Sequence, residues 1–572
     1  MLQTFKKFTL EVLAEIAEEK KVRKTNELFL LFSMGSQFDH LIKQKLDALG
    51  VFCLVADPAC VKADDVKKLS PIGIILSGGP ASAYELPPFD AAIFDLDIPV
   101  FGICLGFQMW AYHIGVPVTL SHKREFGTHT LILNSLSPLF DGLPKESKVM
   151  ETHGDIINPN EKLEIIGTTD NTPVAAGHYK NLWGVQFHPE VTETEYGDKI
   201  YENFCFKICG AKDKFPASEV AKTKIEDLRL KIKDKKVLLA LSGGTDSSVV
   251  AYLLKAACSV PIHGMTQEPI NRRATIQAIY IKGIDRPDDE AHVHKYFGNQ
   301  PWITVKVVDA TENFLKALAG KAEMPEKRIA MRGIYKEILE TEAKNFGANF
   351  IAQGTLFTDV SESGGGYDTG SKKAQIKLHH NVNLGFYLPE IEPLIDCVKD
   401  TGRQLGRSIG VPEELLLRQP FPGPGLVVRI EGEVTAEKLL TARKIDGIYI
   451  EEMRKWELPL APSHSTNSGQ ALEKRGELRD ETKKTSLYNS IWQAGAVVTN
   501  SWITCTKGDD AAMGHVVALW AVWSVNGFTA RSAELPYDFL KHVSQRMTNE
   551  IREVGGVVYR LSDKPPVTIE WG

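Results

Sequence analysis

The chain has 572 residues, a net charge of −6, and 43% hydrophobic against 24% charged residues. That length exceeds what one hydrophobic core serves and predicts roughly three domains, while the mildly negative charge supplies no basic field for a nucleic acid backbone. No run of about 18 uninterrupted apolar residues offers a membrane span, and eight sparse, irregularly spaced cysteines predict reduced thiols in a cytoplasmic protein, not a disulfide framework or a cysteine zinc site.

Residues 1–26 carry Phe5, Phe8, Val12, Leu13 and Ile16 among Lys and Glu, which predicts an added surface helix too acidic for a signal or transit peptide. From 27 to 210, short apolar segments at 28–32, 52–55, 73–76, 100–103 and 182–187 alternate with amphipathic stretches, the cadence of a parallel sheet with helices outside. A Lys-rich stretch, 211–236, reads as linker plus helix and opens a second α/β domain, 211–425. Its strands are expected at 237–241, 278–281, 303–308 and 349–352, with a nucleotide site at their C-terminal ends. The loop Pro420-Phe421-Pro422-Gly423-Pro424-Gly425 breaks helix and strand alike and marks the boundary to a smaller α+β domain, 426–572. Within it, the polar, highly charged segment 462–486 is expected to be an exposed insertion. The expected fold class is α/β: two doubly wound parallel-sheet domains followed by a smaller α+β domain.

Three strand ends in the first α/β domain carry chemistry. Gly102-Ile103-Cys104-Leu105-Gly106 sets a cysteine between glycines where a strand turns into a helix, whose dipole favours a thiolate. Phe187-His188-Pro189-Glu190 presents a base with a carboxylate two residues on, so that His188 can take the thiol proton and Glu190 orient it. Ser77-Gly78-Gly79-Pro80 can lend the Gly79 amide to an oxyanion hole beside that of Leu105. His153 and His178 are rival bases, and His188 is preferred because it alone carries the adjacent Pro-Glu. Across most of 28–210 these residues resemble the class I glutamine amidotransferase family. The resemblance implies hydrolysis of glutamine to glutamate and ammonia through a Cys104 thioester. Arg124-Glu125-Phe126-Gly127 and His153-Gly154-Asp155 resemble two further segments near the glutamine pocket of such enzymes.

Behind the expected strand at 237–241 stands Ser242-Gly243-Gly244-Thr245-Asp246-Ser247-Ser248. It offers small residues for close phosphate approach, amide and hydroxyl donors, and in Asp246 an acid that can hold magnesium. No Lys follows the second glycine as in a Walker A loop. The stretch resembles the loop of N-type ATP pyrophosphatases, and with an amidotransferase ahead of it the chain resembles the glutamine-hydrolysing GMP synthetase family from about Leu28 onward. Gln353-Gly354-Thr355-Leu356, Ile376-Lys377 with His379-His380-Asn381-Val382, Pro325-Glu326-Lys327-Arg328 and Lys564-Pro565-Pro566-Val567-Thr568-Ile569-Glu570-Trp571 also match.

That resemblance implies adenylation of xanthosine 5′-monophosphate (XMP) by ATP with Mg2+, then displacement of AMP by ammonia to give GMP. It implies that Ser242 to Ser248 hold the ATP phosphates and that Arg328, Gln493, Lys564, Ile569 and Glu570 contact XMP. Asp359, Glu362 and Lys377 fall on a lid, and the C-terminal domain forms a possible homodimer.

No zinc site is expected at His379 and His380, which point to opposite faces if extended, nor at His292 and His294, where a helix is expected. The sequence departs from the family at Tyr280 to Arg286, where Asp-Asn-Gly is usual. Trp520 and Gly556 stand where arginines are common, and the loop 364–373 is longer than usual. These departures leave open a diverged amidotransferase-linked pyrophosphatase acting on another carbonyl substrate, or a catalytically weak regulatory relative.

Overall fold

The computed structural model describes residues 4–5, 9–23, 25–36, 38–85, 89–191, 193–215, 217–259, 275–356, 384–395, 397, 399–459, 484–524, 530–564 and 567–572. They form two compact units, Met1–Thr223 and the described residues from Lys224 onward. The lid residues Asp359, Glu362 and Lys377, His379 and His380, and nearly all of the insertion 462–486 lie outside the described residues.

The first unit is built on one ten-stranded sheet: β1 (Thr4–Phe5), β2 (Phe29–Phe32), β3 (Cys53–Ala56), β4 (Gly73–Leu76), β5 (Val100–Ile103), β6 (Val118–Leu133), β7 (Glu146–Ile157), β8 (Glu164–Thr168), β9 (Ala176–Tyr179) and β10 (Leu182–Val185). Their order is β1-β3-β2-β4-β5-β10-β9-β8-β6-β7. From β1 to β10 every pair is parallel. Phe29–Phe32, Cys53–Ala56, Gly73–Leu76 and Val100–Ile103 are buried at every position, as strands covered on both faces must be.

The sheet then turns antiparallel from β9 to β7, an extension that sequence periodicity does not announce. β7 alternates buried and less buried positions, but Glu151, His153 and Asp155 fill three successive inward ones, so the apolar alternation is broken where a strand would be read. At the opposite edge the N-terminal segment forms the helix Leu10–Arg23, as its spacing predicts, and adds β1 beside β3.

The second unit carries β11 (Val237–Ala240), β12 (Ile276–Lys282), β13 (Thr304–Asp309), β14 (Phe350–Ala352) and β15 (Glu390–Ile391) in the order β13-β12-β11-β14-β15. All pairs are parallel, and chain direction reverses its progress between β11 and β14, the switch point where doubly wound sheets open a crevice. A small pair, β16 (Glu457–Pro459) and β17 (Lys484–Ser486), precedes a mostly antiparallel sheet of β18 (Gln493–Lys507), β19 (Asp510–Trp523), β20 (Arg531–Ser532) and β21 (Val554–Tyr559). The helices Ala436–Lys455 and Tyr537–Glu550 pack on that sheet, and their core runs without interruption into the helices Thr311–Leu318 and Met324–Phe346. His292 and His294 lie in the helix Asp289–Phe297, as expected.

Candidate active site

In the first unit the neighbouring strand ends β4, β5 and β10 converge on one thiol. Cys104 follows β5 with φ 50° and ψ −105° and caps the helix Leu105–His113, a strained turn that only close packing holds. The flanking glycines make that packing possible: a Cβ on Gly102 would lie 2.5 Å from the Phe107 amide nitrogen, and one on Gly106 2.5 Å from the Leu76 carbonyl oxygen. Cys104 is 6% exposed, with the free backbone amides of the first helical turn directly behind it.

The parallel register of β10 on β5 pairs Val185 with Ile103, which carries the residues after β10 alongside Cys104. The Gln186 Nε2 donates to Cys104 Sγ over 3.6 Å, and Gln186 is itself bridged to Gln108 and thence to the Asp155 carbonyl. The His188 imidazole is close enough to Cys104 to feel its thiol, and its Nδ1 donates to Glu190 Oε1 over 2.6 Å. Burial disfavours the imidazolium, yet the Glu190 carboxylate and the Cys104 contact outweigh it and hold His188 well above the ordinary imidazole range. Gly78, at the end of β4, approaches both side chains: a Cβ there would lie 3.0 Å from His188 Cε1 and 3.6 Å from Cys104 Cβ. Gly79 packs against the Met34 carbonyl and Leu105.

The rival bases make other contacts. His178 stacks on Trp183 at 4.4 Å, and His153 lies between Glu125 and Glu151. Gln186 and Gln108 were not singled out from the sequence. Gln186 is adjacent to the His188 motif and faces the thiol only because of the strand register.

In the second unit the Ser242–Ser248 stretch joins β11 to the helix Thr245–Ser259 at the switch point. Gly243 adopts φ +72°, and Ser248 Oγ and Ser247 Oγ donate to the Gly244 carbonyl at 2.7 and 3.2 Å. Ser242 is exposed and Asp246, in the first helical turn, half-buried. Gly354, just past β14, comes so close that a Cβ would lie 2.8 Å from the Ser247 amide nitrogen. Arg418, absent from the sequence reading, donates to the Gly243 carbonyl at 3.0 Å and pairs with Asp289.

A second polar cluster surrounds the C-terminal residues. Gln493 Nε2 donates to Glu570 Oε1 over 2.6 Å, and fully buried Arg429 clamps the same carboxylate while pairing with Asp446. Asp446 also receives Arg286, so two cations and two anions share the core. Arg328 donates to the Gly572 carbonyl at 2.7 Å. Beside it, buried Lys327 donates to the Ile430 carbonyl, and burial, reinforced by Lys438, pulls its amine down to about 8.

Lys564 pairs by a backbone bridge with Ala530, and Ile569 joins a small apolar cluster with Trp520. Trp520 has the guanidinium of Arg429 on it at 5.4 Å and that of Arg560 at 5.1 Å. Arg560 also reaches the Thr568 and Ile569 carbonyls, which sets a second cation beside Trp520.

Two family descriptions match the chain: "Glutamine amidotransferase class-I" over residues 30–208 and "GMP synthase C terminal domain" over residues 480–571. Curated relatives named GMP synthase [glutamine-hydrolyzing] include that of Caldicellulosiruptor saccharolyticus, 37% identical over 96% of this chain and 99% of its own. Those of Aquifex aeolicus and Lactococcus lactis subsp. cremoris are 38% and 36% identical, over 95% and 96% of this chain and 99% of their own lengths.

Proposed function

The chain belongs to the glutamine-hydrolysing GMP synthase family, ATP-using ligases that make GMP with glutamine as nitrogen donor, and on that premise we propose how its residues divide the work. Cys104 Sγ attacks the glutamine side-chain carbonyl, and His188, oriented by Glu190, takes the thiol proton and returns it to the departing ammonia. The amides of Leu105 and Gly79 receive the oxyanion. Water then releases glutamate from the thioester. The observation that carries this reading is the hydrogen-bonded His188–Glu190 pair beside Cys104 on its strained strand-to-helix turn, with Gly78 against both the imidazole and the cysteine.

Residues Ser242 to Ser248 cradle the ATP phosphates at the switch-point crevice. The oxygen donors of exposed Ser242 and half-buried Asp246 suit a hard cation, so Asp246 would hold Mg2+, which supplies charge neutralisation on the phosphates. Arg328 and Lys564 bind the phosphate of XMP, while Gln493, Ile569 and Glu570 read its base and ribose. Asp359, Glu362 and Lys377 close over ATP. The XMP oxygen attacks the α-phosphorus, pyrophosphate leaves, and ammonia then displaces AMP.

The proposal keeps four parts: 1–26 as an extension, 27–210 as the glutaminase, 211–425 as the pyrophosphatase, and 426–572 as nucleotide-binding and self-associating. It places the protein in the cytoplasm. All eight cysteines are free thiols, in keeping with a reducing compartment, and no helix among the described residues is long and apolar enough to cross a membrane.

Cys104→Ala tests the division. It is expected to abolish glutamine-dependent GMP formation and to retain synthesis from added ammonium at close to the wild-type rate. Loss of both activities in a folded variant overturns the assignment.

A further inference from the structure

The inner face of the β6–β7 hairpin brings together three buried side chains of metal-ligating type. The antiparallel register sets Glu125 of β6 opposite His153 of β7, and Gly127 opposite Glu151. Successive inward positions of β7 bring Glu151 and His153 to the same face. His153 Nε2 lies 3.3 Å from Glu125 Oε2 and 3.2 Å from Glu151 Oε2, and one donor atom from each residue falls within 4.8 Å of the others.

None of the three side chains is exposed by more than a few per cent. Apart from facing each other at 3.2 Å, the Glu151 carboxylate and the Nε2 of His153 meet no well-aligned hydrogen-bond partner among the described residues, although burying a carboxylate with so little compensation is costly. Gly127, at φ +98°, leaves open space opposite Glu151.

The histidine's orientation is informative. Its Nδ1 lies 3.0 Å from the Asp155 carbonyl oxygen, which can only accept, so Nδ1 carries a hydrogen and Nε2 is the nitrogen that faces the two carboxylates. A histidine whose second nitrogen donates to a backbone carbonyl while the first faces carboxylates has the arrangement of a metal ligand. Glu125 is fixed likewise: Thr169 Oγ1 donates to Oε1 at 3.0 Å and Thr172 Oγ1 to Oε2 at 2.5 Å. For zinc about 2.1 Å from each donor, tetrahedral donor–donor separations are about 3.4 Å, close to the two distances found.

We propose that Glu125, Glu151 and His153 form a binding site for a single divalent transition-metal cation of the zinc class, with a fourth position left for water. The cation would take the place of the Nε2 hydrogen between His153 and the two carboxylates.

The site is tested by cobalt binding to the full chain carrying Cys104→Ala, which removes the catalytic thiol as a competing ligand, after dialysis against a chelator and without nucleotide. The expected result is one tightly bound Co2+ with the visible absorption of a four- or five-coordinate nitrogen–oxygen site, displaced by Zn2+. Adding Glu151→Gln, which preserves volume, is expected to weaken this binding at least about tenfold. Glu151→Met is measured alongside in case the glutamine variant misfolds. Absence of cobalt binding in the parent, or absorption and affinity unchanged in a folded Glu151 variant, overturns the proposal. The readout needs no turnover, so it stands or falls independently of the glutaminase assignment.

Discussion

Glu190 bonds to His188 from two residues away, and every contact that raises His188 above the ordinary range is made in the folded state. Glu190→Gln therefore removes the charge that orients the base while keeping its shape. It is expected to lower glutamine-driven turnover by about 10²-fold or more, with ammonium-driven synthesis retained, as read by GMP formation from each nitrogen source. Lys327 supplies a pH prediction of opposite logic. Its amine is pulled down to about 8 by burial and by Lys438, so between that value and its ordinary 10.5 the unfolded chain binds the proton that the folded chain has released. Stability from this group rises with pH through that window. The difference in melting temperature, Lys327→Met minus wild type, is expected to fall as pH increases from 8 to 10.5, and a flat difference refutes it.

At the scale of elements, glycines decide whether strands and helices can meet. Gly106→Ala would drive a Cβ to 2.5 Å from the Leu76 carbonyl oxygen, a backbone atom that cannot step aside. The expected cost is about 1–3 kcal/mol together with loss of glutaminase activity, measured by denaturation and glutamate release. Gly495 acts on a side chain instead: a Cβ there would meet the Arg429 guanidinium at 2.7 Å. Arg429 cannot swing away without leaving Asp446 and Glu570. Gly495→Ala is expected to impair XMP-dependent pyrophosphate release while leaving glutamine hydrolysis intact. The same network explains why Asp446→Asn should destabilise the fold by about 3 kcal/mol, since it leaves Arg286 and Arg429 buried with one partner fewer.

Over the whole molecule, Cys104 lies in the unit Met1–Thr223 and the loop proposed to cradle the ATP phosphates lies beyond Lys224. Asp246→Ala is expected to suppress GMP formation from both glutamine and ammonium by about 10²-fold or more, in contrast to the one-sided loss from Cys104→Ala. Ammonium-driven synthesis unchanged in Asp246→Ala would refute its role at the triphosphate.

The strands that carry these sites were legible because they are short, wholly apolar and followed within a few residues by glycine, cysteine or hydroxyl. The strand at Gly73–Leu76, for example, spans the expected residues. The antiparallel strands were not, since polar residues fill the inner positions of β7. The elbow at Cys104, the His188–Glu190 pair and the loop after β11 follow from neighbouring residues, whose backbone chemistry is local and therefore written in the sequence. The placing of Gln186 on the thiol, of Arg429 between Asp446 and Glu570, and of Glu151 beside His153 and Glu125 was decided by strand register and packing. Arg429 and Glu570, 141 positions apart, meet only once the core has closed around them, and a pattern read along the chain carries no record of that distance in space.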